Sequence, residues 1–382
     1  MRKIFPAGIF VGLGWIAVTW GSSPVQQPIN PRWKGKIETV NGVKVVRNPN
    51  EPLYGDLKLD LADDLKIGRA DDDDYLFNRV RGIEVDQEGN IYVVDLRNFR
   101  VQKYDKNGTY LLTFGQKGQG PGEFDLPMHI RLDERTGNIA VQDQVYTIEY
   151  FTSDGKPLKS LRFDQAFSDF RLSPSGSIYA IGMTMSDNKV LHRLNKIDAQ
   201  GRVEKSIAEF PYTLFMQKMG EGIVTASSGH ELSLLFTMFD RESLIFGYSK
   251  NYELTVADFE GNSRFRIVKD EPPPQFTNKE KSEFKKIPLP EAKPFFYALY
   301  VDNLGRIYVQ RNQADYHVED DIRKEIDIFG KDGVFLYRTF LPKETYVIRN
   351  GYVYSLEAGD EEIIKRSKIT NWEKIKSFAD TE

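Results

Sequence analysis

Cysteine is absent from all 382 residues. Its absence excludes a disulfide framework and a lipid anchor on an N-terminal cysteine, so stability rests on the apolar core alone. Histidine is scarce, and the four residues, at positions 129, 192, 230 and 317, show no close metal-ligand spacing. No Gly-x-Ser-x-Gly elbow is present to seat a serine nucleophile. Excess positive charge is also lacking. With 52 basic residues against 56 acidic ones, a general role on nucleic acid is disfavoured. Beyond Ile4–Trp20 no apolar run is long enough to span a bilayer.

Arg2 and Lys3, the apolar run Ile4 to Trp20 and the polar Gly21-Ser22-Ser23-Pro24 have the layout of a secretory signal peptide. Residues 1–21 are therefore read as a signal, and the protein as exported, periplasmic or extracellular. Thr19-Trp20-Gly21 supplies small residues at the two key cleavage positions without the usual alanines. An uncleaved anchor is the alternative, since a run of about 17 residues lies at the lower edge of spanning length. Without Arg2 and Lys3, 50 basic residues face 56 acidic ones, a net charge near −6.

What the chain does have is aromatics, at 13%, and a phrase that recurs. The phrase is a short apolar run, a tight Asp/Gly/Asn turn and a second apolar run, followed by another run and turn. Its clearest copy gives four successive strands: Gly82-Ile-Glu-Val-Asp86, Gly89-Asn90-Ile-Tyr-Val-Val-Asp95, Arg100-Val-Gln-Lys-Tyr-Asp105 and Tyr110-Leu-Leu-Thr-Phe-Gly115. Each copy is too small to bury its own sheet faces, which is the signature of a β-propeller. The turns at Asp86–Asn90, Asp133–Asn138, Ser173–Gly176, Asp240–Ser243, Asp302–Gly305 and Ile348–Gly351 mark six copies. The expected fold is all-β, a six-bladed propeller of four-stranded antiparallel blades.

Residues 53–378 make up the ring, with extra material near 212–229 and 270–293 and a short tail at 379–382. A degenerate seventh blade in the first insert is the competing count. The last copy lacks a convincing fourth strand, and Asp56-Leu-Lys-Leu-Asp-Leu61 through Leu65-Lys-Ile-Gly68 resembles an outer strand. The N-terminal segment is thus expected to complete the last blade and seal the ring, sparing it open edges. Residues 22–52, rich in Pro, Asn and polar residues, read as a polar leader.

The stretch Gly82 to Asp105, with Asn98 and Arg100, followed by Phe114-Gly-x-x-Gly118-x-Gly120-x-Gly122-x-Phe124, resembles the NHL-repeat type of six-bladed propeller. It looks especially like the exported bacterial group described by that architecture. The resemblance implies a central channel and a ligand or partner face. Related propellers include lyases, lactonases and pure interaction modules, so the fold does not choose an activity.

Strands alternate in direction, so the first-to-second and third-to-fourth turns share one rim, and the remaining loops and blade crossings share the other. The first rim is tight and reads as structural; the second carries the long, diverse loops on which binding sites are usually built. Candidate ligand-binding residues at that loop-rich channel mouth are Arg81, His129, Asp169 and Tyr297 on innermost strands. Asp95, Asp143 and Arg311, at the ends of second strands, complete the set. Asp95 with Asn98 and Arg100 also fits a blade-bracing role, the blander account and the stronger one.

Asp71-Asp-Asp-Asp74 is a candidate for a divalent cation such as Ca²⁺, but adjacent residues on an extended segment point opposite ways, so a solvated acidic loop is preferred. Gly115-Gln-Lys-Gly-Gln-Gly-Pro-Gly122 lacks the Lys-Ser/Thr of a phosphate-binding loop and reads as a blade crossing. Asn278 to Lys286 reads as a short charged helix on the loop-rich rim. The resulting reading is an exported module that binds a small molecule or a protein, with no cofactor and no chemistry of its own. The alternative is a metal-dependent lyase or lactonase-like hydrolase, which requires His129, Asp143 and Asp169 to converge.

Overall fold

A computed structural model of the chain describes residues 32–186, 189–212, 215–219, 222–226, 230–284, 289–312, 323–359 and 361–377. The signal segment, most of Gln313–Arg323 and the C-terminal tail lie outside the described residues.

The chain is an all-β propeller of six blades. It opens with a hairpin, β1 (Lys36–Val40) and β2 (Val43–Asn48), then an isolated strand, β3 (Leu61–Ile67). Blade one is β4 (Val80–Val85), β5 (Ile91–Asp95), β6 (Arg100–Tyr104) and β7 (Tyr110–Phe114). Blade two is β8 (Pro127–Asp133), β9 (Asn138–Asp143), β10 (Thr147–Phe151) and β11 (Pro157–Arg162). Blade three is β12 (Phe167–Leu172), β13 (Ile178–Ser186), β14 (Lys189–Ile197) and β15 (Val203–Tyr212). A two-stranded hairpin, β16 (Phe215–Met219) and β17 (Gly222–Ala226), follows. It is what the first insert forms in place of a seventh blade.

Blade four is β18 (Leu234–Met238), β19 (Ser243–Tyr248), β20 (Glu253–Asp258) and β21 (Ser263–Lys269), followed by helix α1 (Asn278–Glu283). Blade five is β22 (Phe296–Val301), β23 (Ile307–Arg311), β24 (Arg323–Phe329) and β25 (Phe335–Pro342). Blade six has three strands of its own, β26 (Thr345–Arg349), β27 (Tyr352–Ala358) and β28 (Glu362–Ile369). Its fourth is β3, which pairs antiparallel with β28 from Ile364 opposite Ile67 to Ile369 opposite Leu61.

The stretch read as a polar leader contains the hairpin β1–β2. Strand β2 lies parallel to β21, Lys44 opposite Phe265 through Asn48 opposite Lys269, and widens blade four to six strands. Val45 and Val46 are fully buried there.

Six apolar clusters fill the ring, one at each junction between neighbouring blades. Alternation along each strand sends one face into each junction, so no blade has a core of its own. The tight rim is fixed by aspartates that cap their own turns. Asp86 accepts from the Asn90 amide at 2.8 Å, Asp105 from Thr109 at 2.8 Å and Asp302 from Arg306 at 2.9 Å. Gly89 supplies the left-handed residue at φ +88° that the first of these turns needs.

Candidate functional site

Innermost strands β4, β8, β12, β18, β22 and β26 surround the central channel. Toward the tight rim the channel widens into a funnel of about 720 Å³ to which all six blades contribute, through Glu84, Arg131, Arg171, Phe239, Val301 and Arg349 among others. Its lining has five cationic side chains, Arg131, Arg171, Arg241, Lys331 and Arg349, against four carboxylates, Glu84, Glu134, Asp240 and Asp302. Those carboxylates already have partners, among them Arg349 for Glu134. Asp302 takes Arg306 Nε at 2.7 Å and the Tyr308 hydroxyl at 3.0 Å, and Asp240 takes the Ser243 hydroxyl at 2.6 Å. Apolar Leu132, Met238, Phe239 and Val301 share the wall. The rim that sequence marked as structural therefore holds the cavity.

Within the channel Asp169 Oδ1 accepts from Arg131 at 2.8 Å, Arg171 at 2.6 Å and the Phe170 amide at 2.8 Å. Burial alone would raise the Asp169 pKa, but the two guanidinium charges outweigh it and hold the carboxyl well below its usual range. His129 lies close enough to feel the charges of this triad. Burial, reinforced by the nearby arginines, pushes its imidazole down to about 4 against the opposing pull of Asp169, so it is neutral at pH 7. Glu84 is held above the usual carboxylate range by burial, with Arg131, Arg171 and Arg349 opposing the shift.

The other expected site residues are spent on structure. Asp95 is fully buried and accepts from the Asn78 amide at 2.9 Å, Asn98 at 2.8 Å and Arg100 at 3.1 Å, which fixes the crossing into blade one. Asp143 does the same for blade two, accepting from the amides of Asp125 at 3.0 Å and Leu126 at 2.7 Å. Arg311 belongs to an ionic knot. It binds both Glu271 oxygens at 2.9 Å and pairs with Glu325. Lys269, fully buried, meets Asp327 at 2.6 Å and Glu271 at 3.0 Å, and the Tyr252 hydroxyl donates to Asp327 at 2.6 Å. Neither Asp143 nor Arg311 reaches the channel triad.

Tyr297 hydrogen-bonds His230 Nδ1 at 2.8 Å, and the His230 ring meets Phe276 and Phe284 edge-on at 5.2 and 5.6 Å. Helix α1 seals this corner of the loop-rich rim. A capping box joins Thr277 and Glu280, and Glu280 pairs with the buried Lys293. Arg81 and Tyr346 stand near each other at the same end of the channel.

The acidic run works through its backbone. Arg100 donates to the Asp73 carbonyl at 3.1 Å and Tyr104 to that of Asp74 at 2.7 Å, while Asp72 pairs with Arg69 at 2.7 Å. The glycine-rich crossing holds an anion of its own, since the Glu123 carboxylate accepts from the Gly120 amide at 2.9 Å and Gln116 at 2.8 Å. Among the described residues no three His, Asp or Glu side chains gather as a metal site.

Arg131, Arg171, Arg349 and Glu84 escaped the sequence reading. The signal for two of them was strand alternation: Arg131 and Arg171 lie two residues beyond His129 and Asp169, on the same channel-facing side.

A family model described as a 6-bladed beta-propeller matches residues 71–225. No curated protein matches the chain. Among solved structures, it resembles a Bacteroides fragilis protein described as exported, at 12% identity and a TM-score of 0.55, over 85% of this chain and 99% of that one. It also resembles a Staphylococcus aureus virginiamycin B lyase, at 11% identity and a TM-score of 0.44, over 81% of this chain and 99% of that one. These likenesses concern the ring architecture. Among the described residues no helix is long and apolar enough to cross a membrane.

Proposed function

We propose that the chain is an exported propeller of the NHL-repeat type, periplasmic or extracellular, that binds a small molecule in its central channel and performs no chemistry on it. One observation carries this reading: a 720 Å³ funnel lined by all six blades, in which arginines stand beside an apolar wall of Leu132, Phe239 and Val301. A concave site with an apolar wall and a few convergent polar groups is the usual seat of a small ligand. The ligand site thus moves from the loop-rich rim, where sequence placed it, to the tight-turn mouth. Asp95, Asp143 and Arg311 support the move, since their polar atoms are engaged by the protein itself. The reading calls for no cofactor.

Crystals soaked with a mixed library of neutral, acidic and basic fragments test it. Fragments are expected to gather in the funnel between Arg171, Phe239 and Val301. Gathering instead around Tyr297 and His230, with the funnel holding solvent alone, would overturn the placement.

A further inference from the structure

Arg131 and Arg171 project from neighbouring innermost strands and share a single carboxylate oxygen, Asp169 Oδ1. The Arg131 guanidinium is pinned on three nitrogens, donating from Nε to the Phe170 carbonyl at 2.9 Å, from Nη1 to Ile130 at 2.6 Å and from Nη2 to Asp169. Arg171 is held differently. Its Nη1 gives one hydrogen to Asp169 and one to the Phe170 carbonyl at 2.9 Å, which uses both hydrogens on that nitrogen. Nε and Nη2 of Arg171 have no acceptor among the described residues, and neither is sealed from the channel. These two nitrogens form the side of the guanidinium whose spacing matches two oxygens of one oxyanion.

The surroundings suit the same ligand. Arg241 and Lys331 also line the funnel and make no hydrogen bond or ion pair among the described residues. Arg349 is tied to the Val85 carbonyl at 3.0 Å and to the exposed Glu134 at 3.3 Å, a contact that water weakens. Glu84, a lining carboxylate that feels the charges of Arg131, Arg171 and Arg349, is held above the usual carboxylate range by burial, which lessens its opposition to an incoming anion. Leu132, Phe239 and Val301 offer an apolar wall beside the cations.

We propose that the Nε–Nη2 edge of Arg171, pre-set by Asp169, receives the oxyanion of a small organic anion with an apolar body, a carboxylate or a sulfate or phosphate ester. The ligand enters from the tight-turn mouth, and the inference rests on the funnel being the binding site. Because the donor edge is already oriented, binding loses little side-chain freedom.

Calorimetric titration of the full chain with benzoate, phenyl sulfate and phenyl phosphate, against neutral benzyl alcohol, tests this. At least one anion should bind one site at least tenfold tighter than benzyl alcohol, and the rank of the three separates the carboxylate, sulfate and phosphate sources. Arg171→Lys keeps the charge and removes the fork, and should weaken that anion at least tenfold. Arg202→Lys, on an exposed hairpin, should leave it unchanged. A crystal structure with the tightest anion reads the same point without a variant: its oxygens should lie on Nε and Nη2 of Arg171. Benzyl alcohol bound in the funnel as tightly as any anion would overturn this inference and leave the funnel reading intact. Anions seated at the loop-rich rim would overturn both, and no saturable anion binding would overturn the inference alone.

Discussion

His192 lies on β14 with its ring stacked on Tyr212, centroids 4.0 Å and planes 15° apart, and neither ring nitrogen meets a partner. A charged imidazole there would lose its hydration with nothing in return, and burial accordingly brings the pKa down to about 4 from an ordinary 6.5. The unfolded chain takes up this proton first as pH falls. Stability from a neutral His192 is therefore complete above about pH 6.5 and is lost from there down to about 4. Between pH 7.5 and 4.5 the wild-type chain should lose on the order of 2 kcal/mol more stability than His192→Phe, which keeps the stack and cannot charge. Urea denaturation at the two pH values measures the difference; equal losses would show that His192 is hydrated in the folded state. Nothing in the sequence foretells this environment, because a lone histidine among strand residues gives no hint of which sheet face it takes.

At the scale of elements, the hairpin β1–β2 shows where the sequence stops speaking. The blades were legible because six copies of one phrase align on their turns, and Asp86, Asp133 and Asp302 stand at equivalent places. Lys36–Asn48 matches no copy, and Lys36, Glu38, Lys44 and Arg47 give it the composition of a leader. Its role follows from pairing, since β21 would otherwise be the open outer edge of blade four. Asn48 locks it in place, donating to the Gly333 carbonyl at 2.9 Å and accepting from the Phe335 amide at 2.8 Å, so that it staples blade four to blade five. Asn48→Ala leaves a buried amide unpaired and should cost about 1–3 kcal/mol in chemical denaturation. Asn48→Asp keeps the acceptor, loses the donor and places a charge in the junction, and should cost at least as much. No loss in either variant would mean that the hairpin is not held through Asn48. Helix α1 is the opposite case. Thr277 and Glu280 stand at capping-box spacing, and the structure shows both halves of the box formed.

The whole molecule is a ring whose stability comes from the apolar junctions between its six blades and whose funnel lies at the tight rim. The sequence reading placed binding with the longest loops, whereas the proposed site lies at the opposite rim. Among the described residues of the loop-rich rim, helix α1 with its Lys293–Glu280 pair, the His230–Tyr297 cluster and the ionic knot of Lys269, Arg311 and Asp327 engage one another. Arg81, His129 and Asp169 lie on the innermost strands β4, β8 and β12, whereas Arg131 and Arg171 needed the alternation of β8 and β12 to be followed one step further.

The most direct test compares two variants at opposite ends of the channel, Val301→Trp in the funnel and Tyr297→Phe at the loop-rich rim, each checked for an unchanged melting temperature. Both phenyl phosphate and benzyl alcohol are titrated, so that the outcome does not hinge on charge. Loss of binding in Val301→Trp with full retention in Tyr297→Phe is the expected result. Retained binding in Val301→Trp, with loss in Tyr297→Phe, would contradict a site at the tight-turn mouth.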